Sequence, residues 1–360
     1  MSNPPAVPSP APDKDKLPHW PDPQRQAQFQ QWLGSLPTEL ALEPSSLRLA
    51  SADASFRRYL RIESGRGSLV IMDAPPDKED CKPFVKVGQL MQAAGLRVPE
   101  VLAWDEPHGF LLLTDLGSKT MLQSMDLQAP PPLDWYLQAV DQLLQWQLAS
   151  QPEVLPPYDK PLLRRELELF PQWYIVRHRK VELDSKQRAT LDEAFERIIQ
   201  NNLSWPSVYV HRDFMPRNLM MSPQGMGVLD FQDAVYGPIT YDIASLMRDA
   251  FLTWEEEFCL DVTVRYWQKA RKAGLPVGDD FGAFYQGVEW MGLQRHLKVA
   301  GIFARLTLRD GKPQYLADTP RFIHYIRSTC SRYMALKPLL RLVESVEGIE
   351  VPTAFVFGKF

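Results

Sequence analysis

The chain has 360 residues, of which 45% are hydrophobic and 23% charged, and its formal net charge is −4. This composition predicts a globular protein long enough for two lobes, and it excludes a strongly basic nucleic-acid-binding surface. Cys81, Cys259 and Cys330 are far apart and odd in number, which favours free thiols over disulfides or a zinc site. Since neither a secretory signal nor an apolar run of ~20 residues is present, we expect a cytoplasmic enzyme without nucleic-acid or membrane partners.

The first third of the chain predicts a short tail followed by a β-rich lobe. Residues 1–23 are rich in proline and lack a periodic apolar pattern, which predicts disorder. Residues 24–36 have helical spacing, residues 47–114 contain short strand-like runs, and Phe84 to Ala94 forms an amphipathic helix. The predicted domains are the tail 1–23, an N-lobe 24–115, a C-lobe 116–345 and a C-terminal tail 346–360.

The remainder of the chain has a mainly helical pattern. The predicted helices are residues 134–148, 162–178, 184–201, 254–273, 280–308 and 318–344. Pro171 should kink or break the second of these helices, because proline removes a backbone donor and clashes with the preceding turn. Trp173 and Tyr174, just after this proline, could form a lid over an acceptor or could pack in the core.

A segment between residues 208 and 242 carries the groups with the clearest chemistry. Val208 to Val210 predicts a buried strand, and a second short strand, residues 228–229, ends at Asp230. We expect the two strands to form one hairpin, which would bring Asp213, Asn218 and Asp230 to the same end. Asp213 could then accept a proton from an attacking hydroxyl or orient it, while Asn218 and Asp230 are oxygen ligands suited to Mg²⁺.

Two motifs in this segment resemble a known family. H-R-D-x-x-x-x-N followed by L-D-F resembles the catalytic loop and metal-binding Asp-Phe pair of kinases. This version of the motif looks like that of the aminoglycoside phosphotransferase and choline kinase family, in which the acceptors are small molecules. The longer string L-D-F-Q-D-A-x-x-G-P-x-x-Y-D-I-A-S-L-x-R-D is similar to the bacterial anomeric kinases of N-acetylmuramate and N-acetylglucosamine within that family. The resemblance covers about residues 45–335.

This resemblance implies an α+β, bilobal, protein-kinase-like fold with a small β-rich N-lobe and a larger, mainly helical C-lobe. It implies ATP and Mg²⁺ as cofactors, and phosphorylation of an anomeric C1 hydroxyl in peptidoglycan sugar recycling. Only about ten residues separate Asp230 from Tyr241, which leaves no room for an extended peptide, so a small amino sugar and not a protein is the expected substrate. Asp242, whose family counterpart braces the catalytic loop, and His211 are predicted to be structural.

The phosphate-binding part departs from the usual kinase pattern. There is no G-x-G-x-x-G, and V-I-M-D stands where V-A-I-K would supply a lysine. Because the sugar kinases share the S-x-D-A-S-F-R-R-Y pattern, the resemblance implies that Ser55 with Arg57 or Arg58 binds the nucleotide phosphates. Adjacent strand residues point to opposite faces, so Arg57 and Arg58 cannot both bind the phosphates unless the strand contains a bulge. The alternative is that both arginines are solvated side chains without a role in phosphate binding. Asp115 lies in the predicted interlobe hinge that binds adenine.

The acceptor contacts are less well specified. Trp290, Arg295 and His296 combine an aromatic ring with polar groups that suit a sugar or its lactyl carboxylate, although packing is the usual role of such residues on a long helix. Asp233 could bond an acceptor hydroxyl or could simply be exposed. Another small hydroxyl acceptor, such as an aminoglycoside or choline-like amino alcohol, is an alternative, and the missing lysine and glycine loop leave open a non-catalytic nucleotide-binding module.

Overall fold

The computed structural model of the chain describes residues 18–52 and 56–349. The predicted tail up to residue 17, Ser55 and the residues from 350 onwards lie outside this range. Two compact units are present: Met1–Pro130 with Pro216–Ala234, and Pro131–Met215 with Val235–Phe360. This division differs from the predicted boundary near residue 115. The assignment of a nucleotide-binding lobe and an acceptor-binding lobe stays a prediction.

Strands and helices follow the predicted order over most of the described chain. The strands are β1 Glu43–Ala52, β2 Arg58–Ser64, β3 Gly67–Asp73, β4 Val101–Asp105, β5 Phe110–Thr114, β6 Ser207–Val210, β7 Leu219–Met220, β8 Gly227–Val228 and β9 Val235–Pro238. The α-helices are α1 Pro23–Ser35, α2 Lys82–Ala93, α3 Met121–Ser124, α4 Leu133–Leu148, α5 Lys160–Leu167, α6 Ser185–Leu203, α7 Thr240–Met247, α8 Glu256–Lys272, α9 Phe281–Leu308, α10 Thr319–Arg332 and α11 Lys337–Glu347. A π-helix spans Phe170–His178, and 3₁₀-helices span Thr38–Leu40, Pro216–Asn218, Pro313–Asp318 and Met334–Leu336.

The first unit is built on a five-stranded antiparallel sheet in the order β1-β2-β3-β5-β4. Helix α1 covers one face, where the ring of Trp32 stacks on Phe110 with centroids 5.4 Å apart and Phe29 meets the same ring edge-on. Trp20 lies 4.7 Å from the Phe29 ring. Trp20, which falls within the predicted tail, thus contributes apolar surface to this core.

The short hairpin of β7 and β8 also belongs to the first unit, and it corrects the predicted strand pairing. Strand β7 pairs with β8 through a turn in which the N–H of Gly225 donates to the carbonyl of Ser222. Strand β6 pairs instead with β9 in the second unit, with Val208 opposite Gly237. The predicted pairing of Val208–Val210 with residues 228–229 was wrong because β7, only two residues long, was overlooked. The short turn between β7 and β8 gives their pairing a smaller loss of loop-closure entropy.

The second unit is helical and is organised around α9, whose residues are buried on most of its faces. Helix α5 ends at Leu167, and Pro171 lies in the first turn of the π-helix that follows, so the regular α-helix is interrupted near this proline as expected. The predicted single helix 318–344 is instead α10 and α11, separated by a short 3₁₀ turn. The break follows the extended conformation of Tyr333 (φ −115°, ψ 122°), and Pro338 occupies the first turn of α11. Among the described helices, none combines the length and the apolar character needed to cross a bilayer.

Candidate active site

Asp213 follows β6 in the second unit, within the His211-Arg212-Asp213 motif. Its side chain keeps 39% of its surface exposed, and Arg295 Nη2 lies 3.8 Å from its Oδ1. Burial opposes ionisation of this carboxyl, but the positive charges of Arg295, Lys298 and Arg212 lower its pKa below the usual value. Asp213 is therefore held as a carboxylate, the form that can accept a proton or a hydrogen bond from a hydroxyl.

The backbone before Asp213 is held by Asp242, a fully buried residue of α7. Asp242 Oδ2 accepts from the N–H of His211 at 2.7 Å, and Oδ1 accepts from the N–H of Arg212 at 3.0 Å. Burial raises the pKa of Asp242 to about 7, although these two backbone donors favour the ionised form. Asp242 thus bonds the catalytic segment, while α7 begins two residues earlier, at Thr240, without a side-chain cap.

Glu166 of α5 was not among the predicted site residues, although it contacts the catalytic motif directly. Its carboxylate accepts from Arg212 Nη2 at 2.5 Å, from Lys298 Nζ at 2.9 Å, from Gln294 Nε2 at 3.0 Å and from the hydroxyl of Tyr158. Burial alone would raise its pKa, but Lys298 and Arg212 outweigh burial and lower it to about 2. Glu166 therefore stays ionised over the physiological pH range.

One sequence signal could have revealed Glu166. Leu163, Glu166 and Leu167 share the buried face of α5, so a carboxylate occupies a position that the helical period assigns to the core. A buried carboxylate requires cationic or hydrogen-bonding partners. Tyr158 lies only eight positions away, but the two cationic partners come from α9 and the His211-Arg212-Asp213 motif, more than 40 positions away, and the sequence pattern does not identify them.

Asn218 and Asp230 come together in the first unit. Asn218 Nδ2 lies 3.4 Å from Asp230 Oδ2, and the N–H of Leu229 donates to the carbonyl of Asn218 at 2.9 Å. Asp230 has φ of 63°, in the left-handed region that costs a residue with a side chain about 1–2 kcal/mol. Gln232 Nε2 donates to Asp230 Oδ1 at 2.8 Å and helps to orient the carboxylate.

This pair has the donor chemistry that Mg²⁺ requires. A carboxylate and an amide oxygen are hard ligands, and Mg²⁺ in nucleotide sites takes one or two protein ligands, with phosphates and water completing the shell. The amide oxygen and nitrogen of Asn218 exchange places by a simple flip of the side chain. Within residues 18–52 and 56–349 there is no cluster of three or more His, Cys, Asp or Glu that would form an all-protein metal cage.

The predicted nucleotide-binding arginines are engaged with different carboxylates of the first unit. Arg57 Nη2 lies 3.1 Å from Glu79, and Arg58 Nε donates to Asp73 Oδ2 at 3.0 Å. Asp73 also accepts from Arg25 at 2.6 Å. The V-I-M-D position where the sequence lacks a lysine therefore carries a buried carboxylate that binds two arginines, and the role of Arg57 or Arg58 towards phosphate stays a prediction.

Asp115 uses its carboxylate within the first unit. It accepts from Arg61 Nε at 2.7 Å, from the hydroxyl of Ser68 at 2.8 Å and from the N–H of Gly117 at 2.9 Å. These bonds order the turn that follows β5. The predicted contact of the Asp115 segment with the nucleotide stays a prediction.

The predicted acceptor residues differ in accessibility. Asp233 is exposed, whereas Trp290, Arg295 and His296 are buried on α9. Arg295 Nη1 donates to the carbonyl of Arg212 at 2.5 Å. His296 stacks on Tyr325 with ring centroids 4.5 Å apart, and burial lowers its pKa to about 3. The contacts of His296 are those of a packing residue.

The remaining aromatic candidates also make contacts within the second unit. Trp290 meets Tyr333 edge-on, with centroids 5.6 Å apart. Tyr174 is buried and donates to Glu347 at 2.9 Å, which favours the packing alternative over a lid. Trp173 is half-buried, and the guanidinium of Arg177 lies 3.9 Å from its ring centre.

Comparison with known sequences shows which proteins the chain is similar to. A model of the phosphotransferase enzyme family matches residues 46–280. A Neisseria meningitidis protein named N-acetylmuramate/N-acetylglucosamine kinase is 48% identical over 340 residues, which cover 93% of this chain and 100% of that protein. A Pseudomonas aeruginosa protein of the same name is 47% identical, with coverage of 90% and 98%.

Solved structures with low sequence identity share the fold. A choline/ethanolamine kinase family protein from Mesorhizobium loti has a TM-score of 0.59 at 15% identity and covers 89% of this chain and 99% of its own. An ethanolamine kinase from Plasmodium vivax has a TM-score of 0.57 at 10% identity, with coverage of 81% and 82%. The predicted α+β, protein-kinase-like fold class is confirmed. The chain belongs to the phosphotransferase enzyme family.

Proposed function

We propose that this chain is an ATP-dependent kinase that phosphorylates the anomeric C1 hydroxyl of N-acetylmuramate and N-acetylglucosamine, in the recycling of peptidoglycan sugars. The observation that carries this proposal is the 48% identity to a kinase named for these two sugars, over the full length of that protein. Identity of this extent, continuous across the chain, favours the same acceptor class. The substrates are then a small amino sugar and ATP, and the compartment is the cytoplasm.

Asp213 is the residue that acts on the acceptor. The C1 oxygen attacks the γ-phosphorus, the new C1–O–P linkage forms, and the bond between the γ-phosphorus and the β,γ-bridging oxygen breaks to release ADP. The hydroxyl proton passes to Asp213 Oδ as the oxygen attacks. Arg295, Lys298 and Arg212 keep Asp213 ionised, so the acceptor of this proton is ready at neutral pH. The exposed part of the Asp213 side chain leaves room for a hydroxyl.

Asn218 and Asp230 are the residues that would hold Mg²⁺. When bound, the ion supplies charge neutralisation to the phosphate oxygens. The chain itself contributes the fixed orientation of the two ligands: Gln232 holds one oxygen of Asp230, and the Leu229 N–H ties the two strands together. Arg57 or Arg58 and Ser55 remain candidates for the nucleotide phosphates, and Asp233 and Arg295 for the acceptor.

An amino alcohol or aminoglycoside acceptor is the second candidate. Such acceptors are cationic and favour an acidic pocket. In the second unit, however, Arg295, Lys298 and Arg212 carry positive charge near Asp213. The negative charges beside them are the carboxylates of Asp213 and Glu166, and Asp242, whose pKa is about 7, is only partly ionised at neutral pH. This charge balance favours a neutral or anionic acceptor. The missing lysine and glycine loop are the features that a non-catalytic module would share, and a turnover assay decides that question.

The decisive experiment measures ADP release with purified protein, MgATP and four acceptors: N-acetylmuramate, N-acetylglucosamine, choline and kanamycin. We expect turnover with the two amino sugars and none above background with the two cationic acceptors. The methyl glycoside of N-acetylglucosamine, which lacks a free C1 hydroxyl, is the matched control and should be inert. Phosphorylation of this glycoside would exclude the C1 position, and ATP binding without turnover on any acceptor would favour the non-catalytic module.

A further inference from the structure

We propose that Glu166 is a positioning residue for Asp213, which it controls through the side chain of Arg212. This inference rests on the proposed function, since it takes Asp213 as the residue that accepts the acceptor proton. Glu166 binds Arg212 Nη2 at 2.5 Å, and Arg212 is covalently adjacent to Asp213. The family motif assigns roles to Asp213, Asn218 and Asp230, and Glu166 lies outside that motif, on α5.

Arg212 has a backbone conformation that requires external support. Its φ is 76°, in the left-handed region that residues with a Cβ rarely adopt. A residue in such a conformation persists when the surrounding contacts over-determine it. The N–H of Arg212 is bound by Asp242, its carbonyl by Arg295 Nη1 and its guanidinium by Glu166, so three different partners hold the one residue.

The anchor at Glu166 is itself rigid and charged. Its carboxylate accepts from Lys298 and Gln294, which are one turn apart on α9, and from Tyr158, in addition to Arg212. The ionised form is stable because two cations contact the carboxylate, and the hydrogen bonds use both of its oxygens. A neutral amide in place of Glu166 would leave Lys298 and Arg212 without their counter-ion and would offer only one acceptor oxygen.

The same helix also holds the other side of Arg212. Arg295 is adjacent to Gln294 on α9 and donates to the Arg212 carbonyl, which is the peptide group that leads into Asp213. Release of the guanidinium would allow the peptide planes on either side of Arg212 to rotate, and Asp213 would move with them. Misplacement of a catalytic group by about 1 Å costs about 100-fold in rate.

Glu166 is placed to act on the protein and not on the acceptor. Only 7% of its side-chain surface is exposed, and the oxygens that could bond a sugar are occupied by protein donors. A positioning role therefore predicts a loss of kcat with little change in the KM values for the sugar or for ATP. A residue that contacted the acceptor would instead raise the KM for the sugar.

The test compares Glu166→Gln with Glu168→Gln. Glu168 is two residues away, is half-buried and pairs with Arg164 and Arg188, so its variant also loses an arginine-paired carboxylate at the C-terminal end of α5, but one that does not contact Arg212. We expect kcat to fall about 100-fold in Glu166→Gln, with both KM values within threefold of wild type, and to stay within twofold in Glu168→Gln. In a double-mutant cycle, Glu166→Gln should add little to the loss already caused by Arg212→Gln.

A second measurement does not depend on the acceptor. Hydrogen exchange of the backbone N–H groups of residues 211–213, without substrates, should be faster in Glu166→Gln than in wild type and unchanged in Glu168→Gln. Glu166→Asp keeps the charge and should restore part of both properties, and it replaces Glu166→Gln if that variant does not fold. The inference is overturned if kcat and exchange both match wild type, or if the losses of Glu166→Gln and Arg212→Gln are additive. Absence of sugar phosphorylation in the wild type would overturn the proposed function alone, because the exchange measurement still tests the loop.

Discussion

Asp242 Oδ2 accepts a hydrogen bond from the backbone N–H of His211 at 2.7 Å, across 31 positions of the chain. The second oxygen binds the next N–H, that of Arg212. Two consecutive N–H groups of the catalytic motif are thus satisfied by one buried carboxylate. Its ionised form is the stronger acceptor, so the order of the motif is linked to the protonation state of Asp242.

This linkage predicts a pH dependence. Because the pKa of Asp242 is about 7, kcat should rise with pH through about 7 as the carboxylate ionises. Arg295, Asp213 and Tyr266 also interact electrostatically with this carboxyl group. The Asp242→Asn side chain cannot ionise, and its NH₂ group would face one of the two backbone N–H donors without accepting from it. This variant should therefore lower kcat about tenfold or more and remove the rise of kcat with pH near 7. A pH–rate profile of wild type and Asp242→Asn is the measurement. If kcat of the variant still rises with pH near 7, the rise belongs to another ionising group.

The same shift has the opposite effect on stability. The folded pKa is raised above the unfolded value of 3.8, so the contribution of Asp242 to the free energy of unfolding is greatest below pH 3.8 and decreases as pH rises to about 7. The stability of wild type relative to Asp242→Asn should therefore decrease between pH 4 and pH 7. Thermal unfolding of the two proteins at several pH values measures this difference. A difference that increased with pH would contradict the assigned shift.

Asp213→Asn should abolish turnover while leaving nucleotide binding intact. The amide keeps the size of the side chain but cannot accept the hydroxyl proton, and loss of a general base costs about 10²–10⁴-fold. Initial rates of ADP release and calorimetric titration with MgATP separate the two properties. Full turnover in this variant would exclude the role assigned to Asp213, and loss of ATP binding would indicate disruption of the nucleotide site.

Asp230→Asn should reduce turnover and raise the Mg²⁺ concentration needed for half-maximal rate. The substitution removes the negative charge from the Asn218–Asp230 pair and weakens its hold on a divalent ion. Gln232→Ala is the matched control, because it removes only the donor to Asp230 Oδ1, and we expect a change of less than about fivefold. The measurement is the rate of ADP release as a function of Mg²⁺ concentration. If Asp230→Asn and wild type reach half-maximal rate at the same Mg²⁺ concentration, Asp230 is not a Mg²⁺ ligand.

Gly301→Ala should destabilise the second unit. A Cβ on Gly301 would lie 2.4 Å from the backbone of Leu169, at the approach of α9 to the π-helix, and neither backbone can yield easily. Overpacking of this kind costs about 3 kcal/mol, which lowers Tm by about 6 °C or more. Gly34→Ala in α1 is the control, since a Cβ there meets open space, and it should leave Tm unchanged or higher. Equal Tm values for the two variants would contradict this packing.

The chemistry of the chain could be read from the sequence where its determinants are local. Asp213, Asn218 and Asp230 are recognised because their spacing along the backbone is a property of the motif. Pro171 predicted a kink or break for a covalent reason, the missing N–H, and α5 ends at Leu167, before a π-helix that contains this proline. Short strand-like apolar runs likewise predicted the five strands of the antiparallel sheet in the first unit.

What depended on long-range packing could not be read in this way. The partner of β6 is β9 and not the strand after Asn218, because pairing depends on which segments meet in the folded chain. Asp242 was predicted to be structural, but the two backbone N–H groups that it binds, those of His211 and Arg212, lie about 30 positions away along the chain. The sequence by itself predicted the reacting groups and identified the family. Only the tertiary structure brought Glu166, Lys298 and Arg212 together, because the stabilisation of a buried carboxylate depends on cations supplied by other elements.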